Sequence, residues 1–162
     1  MTNNGTKIAG KEMERLAFLI GRWEGETVVH ASDGRTVPGR IHGEAIAILD
    51  GAWIQWSFEQ TPNEVVTRRQ RGRYLFGWDP VRQAYSAIYF DDRGNTLIEH
   101  TAQPLHPEAL TFVGETVLAD TGPVLFEDEI SSDHDHHFRN RVHMTIDGVR
   151  HLHGVFECKR IG

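Results

Sequence analysis

From Trp23 onward the apolar residues recur at every second position rather than every third or fourth. That is the period of strands that bury one face. Ahead of them lies one stretch of different rhythm. In KEMERLAFLI, 11–20, Met13, Leu16, Ala17 and Ile20 stand three and four apart, the spacing of a short amphipathic helix, and Gly21 closes it. The pattern predicts that helix and then strands near 23–30, 40–49, 52–60, 64–76, 82–90, 96–102, 109–117, 123–131, 135–146 and 149–160. Turn chemistry separates them: SDGRTVPG, Asp50-Gly51, TPN, Asp79-Pro80, DDRGN, PLHPEA, ADTGP and Asp147-Gly148. Nearly every connection has hairpin length. Ten strands joined in this way form an up-and-down antiparallel meander, and closing it into a barrel removes the exposed edges. The expected fold is therefore all-β, a ten-stranded barrel with a short N-terminal capping helix. Residues 1–10 read as a disordered lead-in and 11–162 as one barrel domain.

Alternation also assigns candidate faces. Ile54, Trp56 and Phe58 share one side of their strand; Tyr85, Ala87, Tyr89 and Asp91 share one side of theirs. The last hairpin is the most sharply defined, because Asp147-Gly148 is a two-residue turn that sets the register. Counted from that turn, Ile146 faces Val149, Met144 faces His151, Val142 faces His153, Asn140 faces Val155 and Phe138 faces Glu157. On the other side His143 faces Leu152, Arg141 faces Gly154, Arg139 faces Phe156 and His137 faces Cys158. Both sides mix apolar residues with histidine or arginine, as the wall of a partly polar cavity does.

Composition narrows the classes. A chain of 162 residues is one domain by size. A net charge of −6 argues against nucleic acid as a partner. The basic run Arg68, Arg69, Arg71 and Arg73 lacks interleaved aromatics and reads as an outward face meeting acidic loops or a partner. No apolar run is long enough for a membrane helix, and MTNNGTKIAGKE carries no apolar signal core. The single cysteine, Cys158, fits a reducing cytoplasm and reads as a small buried hydrophobe. Ten histidines invite metal or proton-transfer chemistry.

The helix followed by Gly21-Arg22-Trp23 resembles the Gly-x-Trp start of lipocalin-like (calycin) barrels. The segment GRYLFGWDPVRQAYSAIYFDDRGN, 72–95, is similar to the middle of the bacterial domain of unknown function family 1579. There a Gly-Tyr/Trp-Asp turn precedes a strand bearing Tyr, an aromatic and Asp; the matching residues are Gly77, Trp78, Asp79, Tyr85, Tyr89 and Asp91. The ending FECKR resembles the family's closing strand, with Arg160 as its late arginine. The likeness runs from about 13 to 160 and is nearly silent on activity. It implies a lipocalin-like barrel in which Trp23 packs beneath Arg160, a structural cation–π contact. The histidine-rich DHDHHF, 133–138, departs from the family pattern; it reads as a solvated loop, with a pH-dependent dimer contact as the functional alternative.

Three constellations carry candidate chemistry. Arg139, Arg141 and His143 share one face, and fatty-acid-binding barrels resemble this arrangement, with interior arginines holding a carboxylate. Leu152, Gly154, Phe156 and Cys158 on the neighbouring strand look like lining, which favours that face as the inner one. His151 and His153 form a His-x-His, as in cupin-like metal sites, but no third ligand can be named, since Glu157 lies roughly 13 Å along the strand from His153. HLHG, 151–154, loosely resembles the proximal-histidine context of nitrobindin-type haem barrels, with His151 as ligand. No Gly-rich phosphate loop, no Cys/His nucleophile pair and no convincing acid pair is visible.

The favoured expectation is a binding barrel for a small apolar or aromatic, anionic metabolite. Trp56, Phe58, Tyr85 and Tyr89 would form the apolar wall, and Arg139, Arg141 and His143 would fix the polar end. The alternative is an isomerase, cyclase or decarboxylase in the same cavity, with His143 as general acid–base, Arg141 stabilising an oxyanion and Tyr89 assisting. No cofactor is expected in either; a haem or divalent-metal barrel using His151 and His153 is the third reading, and a homodimer through flat outer strands is the assembly considered.

Overall fold

The computed structural model describes residues 8–65, 67–134 and 136–162. Helix α1 (Gly10–Glu14) and a 3-10 turn at Ala17–Leu19 precede ten strands: β1 (Gly21–His30), β2 (Thr36–Ile48), β3 (Trp53–Gln60), β4 (Gln70–Asp79), β5 (Ala84–Asp91), β6 (Thr96–Thr101), β7 (Ala109–Leu118), β8 (Gly122–His134), β9 (His137–Ile146) and β10 (Val149–Arg160). Each strand pairs antiparallel with the next, and β1 also pairs with β10, so the sheet closes. This is the expected all-β, ten-stranded barrel. The helical segment is broken rather than continuous over 11–20: Met13 and Leu16 are buried as the spacing predicts, but the 3-10 turn buries Leu19 more fully than Ala17 or Ile20. Of the expected disordered lead-in, 1–7 lie outside the described residues, whereas Ile8 packs on the core and the Ala9 amide donates to the Gly51 carbonyl at 3.1 Å.

The helix end is solid. Trp23, Ile54 and Phe112 are among the side chains with essentially no exposure there, and complete burial of each large apolar side chain stabilises by about 1.5–3 kcal/mol. Trp23 meets Phe138 edge-on at 4.8 Å between ring centroids, and its Nε1 donates to the Leu19 carbonyl at 2.7 Å. Arg160, paired with Trp23 in register, lies over the indole at 4.7 Å and donates to the carbonyls of Ile20 and Phe18. The guanidinium thus ties the helical segment to the first and last strands. Gly21, at φ +138°, makes room for it: a Cβ there would stand 2.5 Å from Arg160 Nη1.

The last hairpin departs from the expected register, and the departure decides the site. The Asp147-Gly148 turn pairs Ile146 with Val149, Met144 with His151 and His143 with Leu152, as counted from the sequence. A β-bulge between Leu152 and Gly154 then adds one residue to β10. Beyond it Val142 pairs with Gly154, Asn140 with Phe156 and Phe138 with Cys158, while Arg141 pairs with Val155 and Arg139 with Glu157. Because successive side chains alternate across a strand, a one-residue slip exchanges the partners of every later position.

Candidate functional site

At the end of the barrel opposite α1 the interior opens into a cavity of about 370 Å³. It exists because large side chains stand around the space rather than across it. Trp56 and Phe58 of β3, Tyr74 of β4, Tyr89 of β5 and Phe156 of β10 form aromatic walls. The Phe58 and Tyr89 rings stack at 6.4 Å, and Tyr89 and Tyr74 lie 4.9 Å apart. Gly72 lets Phe58 lie down beside the sheet, since a Cβ there would come within 2.5 Å of the ring.

Polar groups enter this wall at two depths. At the mouth, Tyr89 donates to Asp91 Oδ2 at 2.9 Å, and Gln70 Nε2 donates to the Tyr89 hydroxyl and to Asp91, each at 3.2 Å. Asp91 also accepts from the amides of Arg93 and Asn95 and from Asn95 Nδ2. Burial, the largest single influence, pushes the Asp91 carboxyl up, but these donors together hold it below the usual range. The Tyr89 hydroxyl is pushed well above its ordinary value, by burial first and by Asp91 second, so it stays protonated. His153, the residue inside the β10 bulge, also lines the cavity; burial, then the neighbouring His30, keep its imidazole neutral.

Deeper, where the cavity narrows toward the floor, three polar side chains meet among apolar ones. Glu99 of β6 is fully buried and Asp128 of β8 is 3% exposed; Asn140 of β9 donates to Asp128 Oδ1 at 2.9 Å. No N–H or hydroxyl group among the described residues donates to either Glu99 oxygen or to Asn140 Oδ1. The Glu99 and Asp128 carboxyls instead lie against each other and share a hydrogen bond, for which one of them must carry the proton. Burial, reinforced by Asp128, pushes the Glu99 carboxyl up to about 10, so it is neutral at ordinary pH; burial raises Asp128 as well, against the hydrogen bonds it accepts. Leaving a buried polar atom unpaired costs on the order of 1–3 kcal/mol. A void of about 40 Å³ lies beside these groups, and Trp56, Tyr74, Asp128, Phe138 and Asn140 border both it and the main cavity. Gly114 of β7 permits the arrangement: a Cβ there would stand 2.3 Å from the Ile98 carbonyl and 2.8 Å from Glu99 Cγ.

The structure brings Trp56, Phe58 and Tyr89 to the cavity and sends the other expected residues elsewhere. Tyr85 is buried at the helix end, where its hydroxyl donates to the Glu12 carbonyl at 2.6 Å and its ring meets Trp78. Arg139, Arg141 and His143 lie on the outer face of β9. Arg139 is paired with Glu157, and Arg141 is exposed with Glu129 and Val155 as its cross-strand neighbours. The expectation that Arg139, Arg141 and His143 hold an anion inside, or that His143 and Arg141 act on a bound substrate there, is corrected by this placement. What separates the cations from the expected lining is the bulge. Of the four residues read as lining, Phe156 and Cys158 line the cavity and Gly154 is buried, but these three pair with Asn140, Phe138 and Val142 rather than with the cations, and Leu152, ahead of the bulge, stays with His143 on the other side. Cys158 is buried, and its thiol is pushed up to about 12 by burial first.

His151 is exposed, apart from the cavity-lining His153, and no three His, Cys, Asp or Glu side chains among the described residues gather around one point. The residues present therefore do not fit the metal expected at His151 and His153, and the exposed His151, outside the cavity lining, does not fit the haem expected on it. In the DHDHHF run Asp135 lies outside the described residues; His137 bridges Asp133 and Glu157, at 2.9 Å to each. The basic run faces outward as expected, with Arg69 on Glu59 and Arg71 on Asp92.

The acid pair is what sequence reasoning missed. On β8, Val124, Phe126, Asp128 and Ile130 share the inward face, so an aspartate interrupting an apolar alternation was the available signal. Glu99 gave less, because Leu97 and Ile98 make either face of β6 plausible as the inner one.

A family model described as "Protein of unknown function (DUF1579)" matches residues 9–153. No curated protein matches the chain. Among solved structures it is similar to the crystal structure of Rv2717c from M. tuberculosis, with a TM-score of 0.67 and 14% identity over 96% of this chain and 100% of that one. A de novo designed fluorescence-activating β-barrel aligns over 90% of this chain and 95% of that one, with a TM-score of 0.45 and 14% identity. No helix among the described residues is long and apolar enough to cross a membrane.

Proposed function

The chain belongs to the DUF1579 family of proteins of unknown function, and from the geometry of its barrel we propose that it binds a small, largely apolar or aromatic molecule in the cavity opposite α1. The observation that carries this reading is the cavity of about 370 Å³ itself, walled by aromatic side chains and reached by a few converging polar groups. That combination is the usual form of a small-molecule site. Trp56, Phe58 and Tyr89 supply flat apolar surface, while Gln70 and His153 offer hydrogen bonds near the mouth. The polar end of the ligand is neutral or basic rather than anionic. Arg93, exposed at the rim, is the sole arginine or lysine among the described lining residues, and the groups farther in are neutral or acidic.

The test is titration with N-phenyl-1-naphthylamine, an uncharged dye that brightens in apolar surroundings. Saturable enhancement is expected, abolished in Met144→Trp, which fills the cavity from β9, and retained in Arg141→Ala, which alters only the outer face. A folded protein that leaves the dye dark, or a Met144→Trp variant that binds it as the parent does, would overturn the reading.

A further inference from the structure

We infer that the inner end of the cavity recognises a nitrogen base bearing at least two N–H donors, an amidine or amino-heterocycle, whose ring lies between the aromatic walls. This rests on the barrel being a ligand-binding one. It follows from the balance of donors and acceptors. Around the inner void stand Glu99 and Asp128, whose carboxyls bond to each other through one proton, and Asn140, whose Oδ1 receives no donor from the described residues. The Asn140 amide N–H already serves Asp128. None of the described residues bordering the void is basic, and the remaining ones are apolar apart from Tyr74 and the Trp56 indole. Even with that proton counted, acceptors exceed donors around a void whose two acid side chains are almost wholly buried. A carboxylate entering it would add acceptors and negative charge, and a methyl group would leave the existing oxygens unpaired. A planar group with two N–H bonds supplies donors to the oxygens left over, and a cationic one also compensates the charge that the acid pair retains after sharing one proton. The void of about 40 Å³ has room for a small polar head of this kind or for water.

The shape of the main cavity sets the rest of the ligand. Trp56, Tyr74 and Phe138 border both spaces, so a flat aromatic ring held there directs its substituent at Glu99 and Asp128.

Three naphthalenes of one body discriminate: naphthalene-2-carboxamidine, 2-methylnaphthalene and 2-naphthoate, each displacing N-phenyl-1-naphthylamine from the full chain. The amidine is expected to bind at least about tenfold more tightly than the methyl compound, with the naphthoate weakest. In Glu99→Met, and in the closer isostere Glu99→Gln, the amidine should lose that advantage while the methyl compound binds as before. Equal affinities of amidine and methyl compound in the parent protein would mean that water alone fills the void, and would overturn the inference while the dye result left the binding barrel standing. Failure of all three to displace a bound dye would overturn it too, as would an amidine preference that persists in both variants. If both variants failed to fold, the three-ligand comparison in the parent protein would still decide.

Discussion

At the helix end of the barrel Trp23, Phe138 and the Met13–Leu19 segment fill the interior, and Arg160 has its guanidinium over a ring and against two carbonyls. At the other end Phe58, Tyr74, Tyr89 and Phe156 surround a space instead, and beneath it Glu99 and Asn140 hold oxygens to which no N–H or hydroxyl of the described residues donates. The two ends use similar residues. They differ in whether the polar groups are satisfied. Where every donor has found its acceptor, the interior serves stability; where buried acceptors are left over, the molecule carries a cost that a bound partner would remove.

The comparison can be broken at several points. Trp23→Ala removes a fully buried indole from the solid end and should cost about 3–5 kcal/mol in chemical denaturation. A loss below about 1 kcal/mol would mean that this end is not where the barrel's stability resides. Next is a pH dependence that belongs to the hollow end. Glu99 titrates at about 10 in the fold against 4.5 unfolded, so between those values the native state holds a proton that the unfolded chain has released. Glu99's contribution to stability should be flat below about pH 4.5 and fall as pH rises toward 10. Glu99→Met should be the more stable protein at high pH and show a shallower decline, the remainder coming from Asp128. Melting curves across pH that run parallel for the two proteins would remove Glu99 from this role. A smaller effect is expected for Arg160→Leu, about 1–3 kcal/mol from the lost carbonyl hydrogen bonds and cation–π contact. Smallest is Arg141→Ala on the outer wall, within about 0.5 kcal/mol and without change in dye binding. A large loss of dye affinity there would place that face of β9 in the cavity after all.

The last hairpin shows where reading by pattern stopped. Asp147-Gly148 gave the turn, and the pairing counted from it holds as far as Leu152. Gly154 hinted at irregularity, since glycine inside a strand often marks a bulge, but alternation by itself cannot say whether a residue has been inserted. That single residue of β10 put Gly154, Phe156 and Cys158 on the side of Asn140 and Val142, while Arg139, Arg141 and His143 of the uninterrupted β9 lie outside. The interior assignments of Trp56, Phe58 and Tyr89 survived because β3 and β5 keep regular pairing with β4 along their length.

Period-two alternation, hairpin-length turns and the Gly-x-Trp start with its late arginine were enough for the closed ten-stranded meander, because each is a local property of the chain. The cavity, the inward flank of β9 and the meeting of Glu99, Asp128 and Asn140 were decided only in three dimensions. They depend on closure bringing β6, β8 and β9 around one axis and on a bulge that shifts register without altering the hydrophobic period. Side chains some 30 or 40 residues apart acquire their chemistry from that convergence.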